Sequence, residues 1–131
     1  MIKATDAVIR NAVRDQIKLS FAQAVERLTG EAYETEYRFA ADAGRRWRAD
    51  IAWPAARVAV EIDGGLWIYG RHNRASGALA DMEKGNAYAT RGWLVFHTPW
   101  EWLEQSDKVE QLTAQVVQAV TINRRLYNGN D

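Results

Sequence analysis

Two carboxylates stand where the surrounding sequence asks for burial. Asp50 lies within Arg48-Ala49-Asp50-Ile51-Ala52-Trp53, and Glu61 within Arg57-Val58-Ala59-Val60-Glu61-Ile62-Asp63. A carboxylate among Val, Ile and Trp is costly to desolvate unless something compensates its charge. Two carboxylates side by side also repel one another. A divalent cation with oxygen ligands, Mg²⁺ most naturally or Mn²⁺, answers both problems. Such an ion polarises a phosphodiester and acidifies a bound water. The alternative is structural: each acid pairs with one of the nearby arginines, Arg45, Arg46, Arg48 or Arg57.

These acids need elements that bring them together. Pro54-Ala55-Ala56 separates the two apolar runs, so they read as strands of a hairpin ending at Asp50 and Glu61. Upstream, Val13, Ile17, Phe21, Val25 and Leu28 recur at steps of three and four, one face of a helix from Ala4 to about Thr29. Gly30 stops it, and Ser20 offers a cap for a second helix if the first breaks there. Glu36-Tyr37-Arg38-Phe39 reads as a short strand. Tyr69 to Gly77 reads as a loop, Ala78 to Arg91 as a helix closed by Gly92, and Trp93 to His97 as a buried strand. Pro99 opens a helical turn. Glu110 to Leu126 is an amphipathic helix with Leu112, Val116 and Val120 inward, joined by Val109 and Val117. Helix, strand, hairpin, helix, strand, helix predicts an α/β fold with a mixed sheet and helices packed on it, in one domain over residues 1–131.

The same segments resemble the PD-(D/E)XK nuclease superfamily, and within it the branch related to very-short-patch repair endonucleases and their phage-borne, DUF559-like relatives. Besides the two runs just named, Gly64-Gly65-Leu66-Trp67, Gly70-Arg71-His72, Asp81-Met82-Glu83-Lys84-Gly85-Asn86-Ala87 and Arg91-Gly92-Trp93-Leu94-Val95 fall in the family's order. The resemblance spans roughly Glu36 to Trp100. It implies a restriction-endonuclease-like fold and a metal-dependent DNA endonuclease acting in phage or bacterial DNA processing or repair. By it Asp50 is the central metal ligand, Glu61 the second, and the carbonyl of Ile62 a third. Asp63 stands where the superfamily has its lysine, a departure that leaves the water-activating group to be supplied by Lys84 or His72. Glu36 matches the first acid of the pattern, with Glu26 as competitor. Asp81 serves as an outer ligand, orients His72, or stabilises its own helix terminus.

Arg45, Arg46, Arg48, Arg71 and Arg74 flank the proposed site and suit phosphate contacts. The chain's 17 basic and 17 acidic residues cancel, so DNA contact must come from such a local patch. Cysteine is absent, which removes thiol catalysis, disulfides and thiolate zinc sites. No apolar run or leader-like start suggests a membrane, and the expectation is a soluble cytoplasmic protein. Trp53, Trp67, Trp93, Trp100 and Trp102 are expected mostly in the core. The apolar face of the last helix either covers the sheet or supplies a homodimer interface. A catalytically inactive DNA-binding module of the same fold is the competing function. An unrelated enzyme lacks support, for the chain has no glycine-rich phosphate loop and no nucleophile elbow. The matched residues describe the metal site and not the substrate reader, so branched, mismatched, nicked and site-specific DNA all stay open.

Overall fold

The computed structural model describes the backbone of residues 2–63 and 74–127, and the side chains of 5–63 and 77–127. The elements run α1 (Ile2–Thr29), β1 (Glu34–Tyr37), β2 (Ala49–Trp53), β3 (Val58–Ile62), α2 (Arg74–Thr90), β4 (Leu94–Thr98), α3 (Trp100–Leu103) and α4 (Ser106–Tyr127). Single 3₁₀ turns at Ala41–Ala43 and Pro54–Ala56 precede β2 and β3. The fold is α/β, with a four-stranded mixed sheet in the order β1-β2-β3-β4. The first two pairings are antiparallel and β3–β4 is parallel. A parallel pair needs a crossover, which the segment containing α2 supplies. Among the described residues no helix is long and apolar enough to cross a membrane.

Strand alternation sorts the side chains into two clusters. Ile51, Trp53, Val58 and Val60 meet Phe21, Ala22 and Val25 of α1, Leu103 of α3, and Leu112, Val116 and Val120 of α4. Ala52 and Ala59 belong to a second cluster with Phe39 and Tyr88, against which Trp93 packs. Phe39 lies flat on Tyr88, ring centroids 3.7 Å apart. The apolar face of α4 covers the sheet. Val109 and Val117 join that cluster as partly buried residues.

Several boundaries and core assignments differ from the sequence expectation. α1 continues without a break through Ser20, whose hydroxyl is not used as a cap. It ends at Gly30, whose N–H donates to Glu26 at a φ of 79°. Val13 and Leu28 are exposed, at 49% and 63%. A 28-residue helix runs to about 42 Å while a five-residue strand covers about 17 Å, so its periodic stripe outlasts the sheet it covers. β1 lies two residues earlier than expected, leaving Arg38 and Phe39 beyond its end. α2 begins at Arg74, so 74–77 are helical and not loop. α4 begins at Ser106, four residues before Glu110. Trp102 is exposed at 40%, with the Lys108 ammonium over its ring; Trp93 and Trp100 are half-buried and Trp53 fully buried. Trp67 lies outside the described residues.

Candidate active site

The hairpin brings the two acids together. Ile51 pairs with Val60 and Ala52 with Ala59, so the next step of the ladder sets Asp50 opposite Glu61. Directly opposite residues present their side chains on one face of a sheet. The same row extends both ways. Glu36 lies opposite Asp50, between the pairs Thr35–Ile51 and Tyr37–Ala49, and Glu61 is paired with His97 of β4. One end of the sheet thus carries Glu36, Asp50, Glu61 and His97 across its four strands.

Neither central carboxylate pairs with an arginine among the described residues. Asp50 accepts the backbone N–H of Ile62 through Oδ2 at 2.6 Å. Glu61, only 8% exposed, accepts the Tyr88 hydroxyl at Oε2, 2.5 Å away. The Lys84 ammonium lies 3.0 Å from both Glu61 oxygens and donates to the Arg48 carbonyl at 2.9 Å. Burial raises the pKa of Asp50 above the usual carboxylate range, opposed by the Ile62 N–H and the charges of Lys18 and Lys84. Burial raises Glu61 likewise, opposed by Tyr88 and Lys84. Tyr88 is pushed upward by burial and then by the Glu61 charge, so it stays a protonated donor.

The remaining candidates surround this centre. Glu36 is exposed and pairs with Lys18 of α1 at 2.8 Å. Its φ of 53° is left-handed, a conformation costing a non-glycine residue about 1–2 kcal/mol. Glu26 instead accepts the backbone N–H of Tyr33 and so serves the turn after α1. Asp63 faces His97, Oδ2 to Nδ1 2.9 Å. Arg45, Arg46 and Arg48 are exposed on the segment entering β2. Arg45 lies 3.8 Å over the Trp47 ring and 3.6 Å from Glu83. Arg71 and His72 lie outside the described residues, and Arg74 opens α2 without a described side chain. A cavity of about 380 Å³ between α2 and β4 is bordered by Glu61, Asp63, Asp81, Lys84, Trp93 and His97.

Sequence reasoning passed over Lys18, Tyr88 and His97. Tyr88 was within reach, because it lies four residues after Lys84 and so shares its helix face. His97 carried a weaker signal, a polar residue near the end of an apolar strand. Nothing in sequence marks Lys18 among the charges of α1, since only the tertiary fold sets it beside Glu36.

No family model, no curated protein and no solved structure matches this chain. What the site does must therefore be read from its own chemistry.

Proposed function

We propose that this chain is a divalent-cation-dependent DNA endonuclease with a restriction-endonuclease-like fold. The observation that carries this reading is the opposition of buried Asp50 and Glu61 at one sheet end, with Lys84 held on Glu61. Two hard, partly desolvated carboxylates that resist ionisation together suit Mg²⁺, which is commonly held by one or two carboxylates and keeps several waters. Among the described residues no group of three or more His, Cys, Asp or Glu side chains is placed to hold a metal ion, and the backbone is one source of a further ligand. The Ile62 carbonyl suits this: a strand residue points its N–H and C=O the same way, and the Ile62 N–H points at Asp50. Bound there by Asp50, Glu61 and Ile62, the ion would supply Lewis-acid polarisation of the phosphodiester and a more acidic water.

The chain's own groups do the rest. Tyr88 and Lys84 fix the Glu61 carboxylate, and the Ile62 N–H fixes Asp50. Lys84 enters from α2 and takes the place of the lysine that the resemblance expects at Asp63, just past the end of β3. Its cation sits beside Glu61, where it favours negative charge growing on the phosphate. Exposed Arg45, Arg46 and Arg48 lead into β2 at the Asp50 end and suit the flanking phosphates.

One observation favours the second reading, a DNA-binding module that does not cut. Asp63 stands in place of the lysine and is engaged with His97, so β3 itself offers no cation. Incubation with supercoiled, linear, mismatched and four-way-junction DNA separates the two. We expect cleavage with Mg²⁺ or Mn²⁺, none in EDTA, and none by Asp50→Asn. DNA binding without cleavage under any of these ions selects the module instead.

A further inference from the structure

The cavity between α2 and β4 opens beside the hydrolytic site, and Asp63, Asp81, Gly85, Trp93 and Val95 line it without a part in the proposed hydrolysis. We propose that it receives a single nucleobase unstacked from DNA beside the bond to be cut, and that it selects bases carrying an exocyclic amine. This rests on the DNA-endonuclease reading for its source of bases, but the pocket can be tested without cleavage.

Size comes first. About 380 Å³ lies at the lower end of the roughly 300–1,000 Å³ of small-molecule pockets, room for one flat ring and not for a duplex. The cavity exists because α2 offers β4 little bulk there. Gly85 and Ala89, one turn apart, both border it, and a Cβ built on Gly85 meets nothing within 4 Å. Glycine inside a helix costs roughly 0.5–1 kcal/mol relative to alanine, so this position gives up stability while leaving space. The walls suit a ring: Val95 comes from β4, Trp93 from the position just before it, and the buried Tyr88 joins them.

The polar border decides what kind of ring. The carboxylates Glu61, Asp63 and Asp81 outnumber the one ammonium, Lys84, so a phosphate group is repelled from the interior. Carboxylates accept hydrogen bonds, and a carboxylate accepting from the cytosine amine is an established base contact. Asp63 uses Oδ2 on His97 Nδ1; among the described residues its Oδ1 takes no hydrogen bond. That contact also turns the other imidazole nitrogen of His97 away from Asp63. Thymine, with a carbonyl where cytosine has its amine, would set oxygen against oxygen. The cavity shares Glu61 and Lys84 with the hydrolytic site, so a base held there leaves its own phosphate within reach of those residues.

The test has two arms. In the first, backbone amide NMR shifts of the chain are followed on adding dCMP, dTMP or 2-deoxyribose 5-phosphate. We expect dCMP to move the Gly85, Ala89 and Val95 signals, dTMP to move them at about tenfold higher concentration, and the sugar phosphate not to move them. Gly85→Leu fills the space and should remove the dCMP response; circular dichroism confirms its folding, and Gly85→Ala serves as the milder variant. In the second arm, wild-type cleavage rates with Mg²⁺ are compared for duplexes with a C·G or a T·A pair beside the cut, where a preference of about tenfold is expected. Equal shifts from all three ligands, shifts away from the cavity, or no shift from dCMP overturn the pocket. DNA cleavage without base preference overturns it as a reader of DNA. Shifts from dCMP with no cleavage of any DNA leave the pocket standing and overturn the endonuclease reading instead.

Discussion

The two faces of the sheet are built on opposite principles. Toward α1 and α4 the strands present Ile51, Trp53, Val58 and Val60, all fully buried. Toward α2 they present Ala52 and Ala59, then Asp50 and Glu61 at the end. Large strand side chains push the first pair of helices into a continuous apolar contact. Small ones let Tyr88 and Phe39 lie close to the sheet, and bring Lys84 within 3.0 Å of Glu61. The first face supplies stability. The second holds charged groups at a desolvation cost that the first must offset.

The largest effect expected from breaking this contrast is on the apolar face. Trp53→Ala should cost about 3–5 kcal/mol in denaturant unfolding, because its packing against Phe21 leaves a cavity that strands cannot close. A loss under 1 kcal/mol would show that this face is not the main source of stability.

On the other face, Asp50→Asn and Glu61→Gln should lower cleavage by about 10²–10³-fold or more while folding survives. In EDTA both variants should melt at or above the wild-type temperature. The sign follows from linkage. A carboxyl whose pKa is raised in the folded state binds more protons there than when unfolded. Stability then falls as pH climbs from the ordinary carboxylate range through the raised value, and the cost is fully present above it. An amide carries no such cost, so the advantage of the variants should shrink as pH is lowered through that window. Melting curves recorded from acid to neutral pH check this, and variants that melt well below wild type at pH 7 would contradict it.

Filling, not emptying, should damage the small-residue face. Ala59→Leu should cost about 1–3 kcal/mol by displacing Tyr88 from Glu61, and activity should fall with it. Lys84→Ala should reduce cleavage by about ten- to a hundredfold at every pH, with partial recovery in Lys84→Arg. Near-wild-type rates across the pH range would remove Lys84 from the mechanism. The smallest effect is a gain: Gly85→Ala should stabilise by about 0.5–1 kcal/mol, since its Cβ enters open space.

Much of the scaffold was legible because its signals are local. Alternation in Val58-Ala59-Val60 and the stop at Pro54 define a hairpin without reference to anything else, and hairpin register alone sets Asp50 against Glu61. The period of α4 shows which side it buries. Boundaries were harder. Ser20 is a good cap residue, but a cap needs a helix to end, and burial of Phe21, Ala22 and Val25 in one continuous contact keeps α1 whole. The stripe from Val13 to Leu28 is real in sequence, yet its two ends, Val13 and Leu28, outrun the sheet and meet solvent.

The sequence by itself determined the order of elements and the acidic pair, because each depends on neighbours a few positions away. Only the tertiary structure decided the company those acids keep. Lys84 and Tyr88 are 23 and 27 residues from Glu61, Lys18 is 18 residues from Glu36, and His97 is 34 from Asp63. Distances of that kind are set by how helices cross a sheet and not by local pattern. The raised carboxylate pKa values follow from the same source, since desolvation is a property of the assembled surroundings and not of a residue's place in the chain.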